Sequence, residues 1–351
     1  MLIDVVANAG GLRDRCETVL AGWLDAQRPA WPDPAVFETL RRFVLHGGKR
    51  LRPMFCYWGW RGAGGEDGPE IFSAAAALEL FHAFALVHDD IMDGSDLRRG
   101  EPSVHRSLAD EHQRRGWRGD PGAYGAGAAL LVGDLLAAWA DQLFAESGLP
   151  PDRLRDGAAI FARMRTEVIA GQYLDLRAGA GAGSVADALT VIRMKAARYT
   201  VTRPLQIGAA LAGGGDALLA SLGAFGDPLG DAFQLRDDVL GVFGDPAVTG
   251  KPALDDLREG KQTVMLALAR DHATPSQAAT LSRLAGDPAL DEPGAAVLRQ
   301  IIVETGALAR TERMIRIRAE AARDALAAAP VTPAAAAALA ELADRAVHRL
   351  A

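Results

Sequence analysis

The sequence predicts an all-α fold, and three features of its patterning lead to that prediction. Apolar residues recur at three-, four- and seven-residue spacings, the period of an amphipathic helix; Ser73–Met92 shows this with Leu78, Phe81 and Ala85. Alternation of apolar and polar residues, which is typical of strands, is scarce. Segments rich in glycine and proline separate the helical stretches. Several long helices with short irregular connections indicate a helical bundle without a fixed repeat.

The helical period defines successive stretches along the chain. They are Ser73–Met92, Ala123–Ala140, Leu154–Leu176, Ala186–Ala212, Ala217–Val242, Gln262–Arg270 and Ala296–Ala328. Pro228 is expected to interrupt one of them, because proline cannot donate the helical hydrogen bond. The alanine-rich stretch Ala321–Ala340 is split by Pro330 and Pro333, which predicts a separate terminal helix. No linker divides the chain, so residues 1–351 are predicted to form one domain, with roughly the first 30 as a peripheral extension.

The bulk composition excludes several classes of function. The net charge is −7 and the pI is near 5.6, which argues against nucleic acid as a partner. The two cysteines, Cys16 and Cys56, form no CxxC or Cys/His array, so we expect buried, inert thiols. The N-terminal residues lack the pattern of a secretory signal, which predicts a cytoplasmic protein. Ala123–Ala140 is the most apolar stretch, but Asp134 and three glycines favour a core helix over a membrane span.

A first cluster of acids lies in the segment HDDIMDGSDLRRG, residues 88–100. On a helix, Asp89 and Asp93 project from one face about a turn apart. Oxygen ligands at this spacing suit Mg²⁺, which takes one or two protein carboxylates and completes its shell with water and phosphate oxygens. A solvated acidic helix end is the alternative interpretation. The apolar run that leads directly into Asp89 and Asp90 favours a metal site above an apolar cavity.

A second acidic cluster repeats the pattern in FQLRDDVLGVFGDP, residues 233–246, where Asp237 and Asp238 follow an apolar helical stretch. Two such clusters, each near a helix end, can face each other across a bundle. Metal ions that bridge a diphosphate would offset the negative charge of the acids and of the ligand.

Basic residues accompany both clusters. They are Lys49, Arg50 and Arg52 in GGKRLRP, Arg98 and Arg99 after the first cluster, Lys195 in MKAARYT, and Lys251 and Lys261 around GKPALDDLREGK. Each cation alone would be an ordinary surface residue. Glycines precede the first group and let backbone approach a phosphate closely. The repeated occurrence of basic residues beside the acids indicates an anion-binding site.

Together these segments resemble the trans-isoprenyl diphosphate synthase (polyprenyl synthetase) family. The resemblance spans about Val44 to Leu268 and rests on five ordered motifs, GGKRLRP, HDDIMDGSDLRRGEP, GQYLDL, MKAARYT and FQLRDDVLGVFGDP. It implies an isoprenoid synthase-type helical bundle around a central cavity, normally a homodimer. It also implies an enzyme that condenses isopentenyl diphosphate head-to-tail with an allylic diphosphate (dimethylallyl, geranyl or farnesyl).

The resemblance also implies roles for individual residues. Asp89, Asp93 and Asp237 would bind three Mg²⁺ ions, with Asp90 and Asp238 beside them in the catalytic motifs. Residues that would hold the allylic diphosphate are Arg98, Lys195, Gln234, Lys251 and Lys261. Residues that match the isopentenyl diphosphate site are Lys49, Arg52, His82 and Arg99, with Arg50 in the same basic group.

The chain departs from the family pattern at two positions. The second motif usually reads DDxxD, but Gly241 stands in place of its last aspartate. Because Asp237 carries most of the implied ligation, we expect retained activity, with the metal affinity open to change. In the lysine motif, Ala196 stands where threonine is frequent, and Thr200 is the hydroxyl that remains nearby.

The helix that leads into Asp89 is expected to set the product length. Phe84 lies five residues earlier, roughly 7.5 Å along the axis at about 1.5 Å per residue, and could form the floor of the cavity. Ala85 beside it leaves space. In the family this pattern resembles geranylgeranyl diphosphate synthases. Farnesyl or longer products stay open, because Phe84 could also be an ordinary core residue.

Two other functions are compatible with parts of the pattern. A class I terpene cyclase would need an NSE-type second metal motif and no isopentenyl site, whereas this chain has FQLRDD and GGKRLRP. A non-catalytic subunit that binds prenyl diphosphates would lose acids from its metal motifs, and Gly241 is the single such loss.

Overall fold

The structure is a computed structural model that describes residues 11–181, 183–244 and 254–347. Within these ranges it is helical, as predicted, and its only strands are β1 (Leu97–Arg98) and β2 (Glu101–Pro102), which pair antiparallel. The helices are α1 (Leu12–Gln27), α2 (Pro34–Leu45), α3 (Leu51–Gly62), α4 (Pro69–Met92), α5 (Val104–Arg114), α6 (Pro121–Ala145), α7 (Pro151–Gly179), α8 (Val185–Val191), a π-helix (Ile192–Thr202), α9 (Arg203–Leu211), α10 (Asp216–Phe243), α11 (Asp255–Arg258), α12 (Val264–His272), α13 (Pro275–Leu284), α14 (Glu292–Glu304), α15 (Ala307–Ala328) and α16 (Pro333–Val347). A 3-10 turn, Arg28–Ala30, follows α1.

Helix α1 contributes to the core, although the sequence predicted a peripheral extension here. Cys16, Leu20 and Leu24 recur every four residues and therefore share one face of the helix. All three are at most 1 % exposed and pack against α2 and α4. Cys16 and Cys56 are both buried and unpaired, as expected, and burial raises the pKa of both thiols.

The core consists of two clusters of buried apolar residues. One is built mainly from α1, α2, α4, α6 and α7, and the other from α10, α12 and α14–α16. The π-helix contributes to both, with Tyr199 in the first cluster and Val201 in the second. It packs against α7 on one side and α10 on the other. Extended π-helices are rare, and π-turns occur frequently at functional sites.

Helix α10 runs without interruption through Pro228, so the predicted break is wrong. Close packing against the π-helix holds this stretch in place. A Cβ on Gly230 would lie 2.5 Å from the Cα of Ala197, so the two backbones are nearly in contact. The Thr202 hydroxyl also donates to Asp227 Oδ1 over 2.7 Å. These contacts offset the hydrogen bond that proline cannot make.

The C-terminal third follows the predicted pattern with one extra break. The predicted stretch Ala296–Ala328 comprises two helices, α14 and α15, because Gly306 adopts a φ of 74° between them. That left-handed conformation is readily available only to glycine and ends the helical path. The separate terminal helix α16 begins at Pro333, as the sequence predicted.

Within the part of the chain that the structure describes, two helices, α4 and α6, are long and apolar enough to cross a membrane by length and composition alone. In α4, 67 % of the most apolar window is buried inside the protein, so α4 is a core helix. The corresponding share of α6 is 39 %. Helix α6 packs along α4 with one face and exposes Leu130 and Leu131 elsewhere.

Candidate active site

The first acidic cluster closes the C-terminal end of α4. Asp89 and Asp93 lie one turn apart, and the backbone N–H of Asp93 donates to the Asp89 carbonyl over 2.8 Å. Asp90 is only 1 % exposed and accepts hydrogen bonds from Arg98, one of them from Nε over 2.8 Å. Loss of solvent raises the pKa of both Asp90 and Asp93, and the Asp89 charge raises them further. The cluster therefore carries negative charge that a cation would stabilise.

The second acidic cluster lies near the C-terminal end of α10. Asp238 is 3 % exposed, accepts a hydrogen bond from Gln234 Nε2 over 2.9 Å, and lies 3.7 Å from Lys261 Nζ. Burial raises the pKa of Asp238 to about 6, while Lys261 opposes this shift. Burial in turn lowers the pKa of Lys261, but the surrounding carboxylates, Asp238 foremost, outweigh burial and raise it overall. Asp237 is one of these carboxylates.

Lys195 pairs with the first cluster and identifies a further acid, Asp175. Its Nζ donates to Asp89 Oδ1 over 3.1 Å and to Asp175 Oδ2 over 2.7 Å. Asp175 also acts electrostatically on Asp93 and on Lys261, one from each cluster. Asp175 of α7 therefore lies within electrostatic range of both the α4 acids and the Lys261 partner of Asp238.

Asp175 was not among the predicted site residues, although it lies in the GQYLDL motif. A signal was present four residues earlier on the same face of α7, at Gly171. A Cβ on Gly171 would lie 2.7 Å from the backbone nitrogen of Lys195, so glycine is needed for α7 to approach the π-helix. A glycine that permits a close approach, followed by an acid one turn later, marks the partner of Lys195.

A second, cationic pocket lies next to the carboxylates on the same π-helix. Arg52 Nη2 donates to Thr200 Oγ1 over 2.9 Å, and the Arg52 guanidinium carbon lies 4.0 Å from the centre of the Tyr199 ring. The Tyr199 hydroxyl lies 3.2 Å from His82 Nδ1. Burial, then Arg52 and Arg99, lower the pKa of His82 well below its ordinary value. A neutral histidine beside arginines is suited to bind an anion.

The glycines of GGKRLRP allow Arg99 to reach this pocket. Gly47 and Gly48 adopt φ values of 67° and 94°, and a Cβ on Gly48 would lie 3.1 Å from Arg99 Nη2. Arg99 itself has a φ of 57° and donates from Nη1 to the His46 carbonyl over 2.6 Å. Lys49, the next residue after the glycines, is exposed.

Arg50 does not face the pocket, in contrast to its predicted substrate contact. Its side chain is 1 % exposed and donates to Glu79 Oε1 over 3.0 Å and to Glu17 Oε1 over 3.3 Å. The remaining nitrogen donates to the carbonyls of Val44 and Leu45. Arg50 has a φ of 49° and precedes the first turn of α3. With its donors directed inward, Arg50 fixes the backbone that carries Lys49 and Arg52.

The remaining predicted residues lie in or near these two regions, apart from one. Arg98 pairs with Asp90 and comes within 3.7 Å of Asp89. Phe84 is half-buried, with its ring centre 5.0 Å from that of Phe81 and 4.7 Å from that of His88. Ala85 is also partly buried and packs on the same core. Lys251 lies outside the described residues.

The donor set fits Mg²⁺. The Asp90 Oδ2 atom is buried without a hydrogen-bond partner, and the other donors are carboxylate oxygens, which hard divalent cations prefer. Among the described residues, no three His, Cys, Asp or Glu side chains enclose a single ion. Such an open arrangement suits Mg²⁺, which is usually bound by one or two carboxylates together with water and substrate phosphates.

Comparisons with known proteins agree with this geometry. The polyprenyl synthetase family model matches residues 33–301. A geranylfarnesyl diphosphate synthase from Aeropyrum pernix is 35 % identical, over 83 % of this chain and 86 % of its own. The crystal structure of a geranylgeranyl pyrophosphate synthase from Corynebacterium glutamicum, complexed with isoprenyl diphosphate and magnesium, superimposes with a TM-score of 0.92. It is 40 % identical and covers 97 % of this chain and 99 % of its own.

A polyprenyl synthase from Caulobacter crescentus, complexed with calcium and isoprenyl diphosphate, superimposes with a TM-score of 0.81 at 31 % identity. That similarity covers 99 % of this chain and 98 % of the other. The family match and the fold lead to one conclusion. This chain belongs to the polyprenyl synthetase family and is a prenyltransferase.

Proposed function

We propose that the chain condenses isopentenyl diphosphate with an allylic diphosphate and releases a short all-trans prenyl diphosphate. The observation that carries the proposal is that two groups of charged side chains contact one π-helix. Lys195 belongs to the carboxylate-rich site, and Thr200 contacts Arg52 of the cationic pocket. A reaction between two diphosphate esters requires two such sites, with the hydrocarbon parts close together.

We assign the carboxylate-rich site to the allylic diphosphate. Asp89, Asp93 and Asp237 would hold Mg²⁺, with Asp175 beside them, and we propose three ions per site. When bound, Mg²⁺ supplies positive charge that stabilises the diphosphate as it leaves the allylic carbon. Residues proposed to contact the same diphosphate are Arg98, Lys195, Gln234, Lys251 and Lys261.

We assign the cationic pocket to isopentenyl diphosphate, held by Lys49, Arg52, His82 and Arg99. A neutral His82 can donate one hydrogen bond to the diphosphate while its Nδ1 stays near Tyr199. Arg50 acts through the backbone of this group and makes no contact with the substrate. This arrangement holds the alkene beside the developing allylic cation, so positioning supplies much of the rate.

The reaction ends when the new cation loses a proton. The departing diphosphate is the proposed base, because it stays next to the reacting carbons and its negative charge is balanced by Lys195 and Lys261. Asp238, with its raised pKa, is paired to Lys261 and not to the substrate carbons. Its proposed part is to hold Lys261 in place.

We propose geranylgeranyl diphosphate as the main product. Phe84 lies on α4 five residues before Asp89, and its ring is supported by Phe81 and His88. A supported aromatic ring is a rigid floor for a growing chain. The family comparisons include synthases named for products of different length. We therefore base the assignment of product length on Phe84 and not on family membership.

We further propose a homodimer. Large apolar side chains on the neighbouring helices α6 and α7 remain exposed: Leu131 is 66 % exposed, Ile169 56 % and Tyr173 66 %. An exposed apolar patch of this kind marks an interaction surface. A dimer would cover this patch. We also propose a single domain and a cytoplasmic location for the chain.

The experiment is incubation of the purified chain with isopentenyl diphosphate, Mg²⁺ and each allylic primer in turn, followed by measurement of product length. Geranylgeranyl diphosphate as the main product would support the proposal. No consumption of isopentenyl diphosphate with any primer would refute it and favour a binding subunit. A cyclic hydrocarbon from the primer alone would indicate a cyclase.

A further inference from the structure

The position of Gly241 in the second acidic motif is filled by another acid. Gly241 lies four residues after Asp237 on α10, so a side chain there would share the face that carries Asp237. The side chain of Asp256, from α11, occupies this space. A Cβ on Gly241 would lie 1.9 Å from Asp256 Oδ2 and 2.8 Å from the carboxyl carbon. An aspartate at position 241 and the carboxylate of Asp256 therefore compete for the same volume.

Asp256 belongs to the second cluster by its hydrogen bonding and its charge as well. The backbone N–H of Lys261 donates to the Asp256 carbonyl over 3.2 Å, which holds the two residues in one turn. Its carboxylate acts electrostatically on Lys261 and on Asp238. The loss of an acid from α10 is therefore balanced by an acid that arrives from the following helix.

We propose that Asp256 replaces the missing last aspartate of the second motif and contributes a carboxylate to the divalent cation bound at Asp237. The inference rests on the proposed function, since it concerns the metal site of that reaction. Gly241 has a definite role in it, because any Cβ at this position would displace the Asp256 carboxylate. A cation held by both residues would also tie α11 to α10.

Three variants separate this proposal from a simple loss of charge. Asp256→Asn keeps the size of the side chain and removes its charge. Gly241→Ala keeps every carboxylate but places a Cβ where Asp256 Oδ2 lies, and alanine favours the helix. The exchange variant, Gly241→Asp with Asp256→Ala, returns an acid to α10 and removes the obstruction. Asp324→Asn on the exposed face of α15 is the matched control.

The test is Mn²⁺ binding to each full-length variant in the presence of inorganic diphosphate, followed by electron paramagnetic resonance of the free ion. Asp256→Asn and Gly241→Ala are expected to weaken binding by about 10- to 100-fold, the usual effect of altering groups that support a metal site. The exchange variant is expected to bind more tightly than Asp256→Ala alone, and the control to equal the wild type.

Wild-type affinity in Asp256→Asn or Gly241→Ala would overturn the inference, as would an exchange variant no better than Asp256→Ala. Circular dichroism of the same samples shows whether each variant is folded. The exchange variant and Asp256→Ala both lose the same side chain, so any structural cost of that loss is common to the two. The outcome is separate from that of the proposed function, because no turnover is required. A wild type that binds Mn²⁺ through Asp256 without condensing substrates would refute the function alone.

Discussion

The buried carboxylate of Asp238 should destabilise the metal-free protein near neutral pH. Burial raises its pKa from 3.8 to about 6, so the folded state favours the protonated form. Well below pH 3.8 the group is protonated in both states and has no effect. As the pH rises, the unfolded state loses the proton first and stability falls. A shift of roughly 2 units at about 1.4 kcal/mol per unit gives about 3 kcal/mol at pH 7.

The perturbation is Asp238→Asn, which keeps the shape and can still accept the hydrogen bond from Gln234. The assay is urea unfolding of both proteins at one protein concentration, with a chelator, from about pH 4.5 to about pH 7. The free energy of unfolding of the variant should rise relative to wild type by about 2 kcal/mol across this range, which is the part of the roughly 3 kcal/mol that titrates there.

The quantity to test is how the difference in unfolding free energy between the variant and wild type changes with pH. The size of the difference at a single pH is less informative, because the weaker contact of the variant with Lys261 shifts it at every pH. A difference that stays flat across this pH range would refute the reasoning. The exposed variant Asp324→Asn should give a flat difference and serves as the control.

Other changes test the remaining assignments. Phe84→Ala removes the proposed floor and should lengthen the main product by at least one isoprene unit; an unchanged product profile by chromatography would refute that role. Asp175→Asn should lower kcat/KM by about 10- to 100-fold without unfolding the protein, as for other supporting groups of metal sites; full activity would exclude it from the site. Arg50→Met leaves Glu79 buried without its partner and should lower the free energy of unfolding by about 3–5 kcal/mol in urea; a further change of Glu79 to Gln should recover part of that loss. Leu131→Glu should convert the dimer to monomers in sedimentation, and an unchanged sedimentation coefficient would exclude this face.

The helical fold could be predicted because its signals are local. Spacing of apolar residues and the positions of Gly and Pro determine helices without reference to the rest of the chain. Pro228 shows the limit of such signals. Its helix persists because Gly230 packs against Ala197 of the π-helix, a contact between residues far apart in sequence. Tertiary packing can override a local helix breaker.

The site could be predicted as a set of motifs but not as a set of contacts. Asp89, Lys195 and Asp238 lie in recognisable patterns; in the structure Lys195 pairs with Asp89, and Lys261 lies beside Asp238. Arg50 lies in an equally clear pattern, yet its side chain turns inward, because a left-handed backbone at this residue directs it towards Glu79. The part played by Asp256 depends on space beside Gly241, and no sequence pattern contains that information.

The π-helix has a consequence for how the two substrate sites are aligned. In a π-helix, residue i+5 is the hydrogen-bonded neighbour of residue i, so Thr200 lies over Lys195. In an α-helix the same five residues would turn the two side chains about 140° apart around the axis. The metal-side lysine and the hydroxyl that holds Arg52 share one side of the helix only because of this winding. Substitutions that preserve this winding keep the alignment, whereas α-helical winding of the same segment would turn the two substrate sites away from each other.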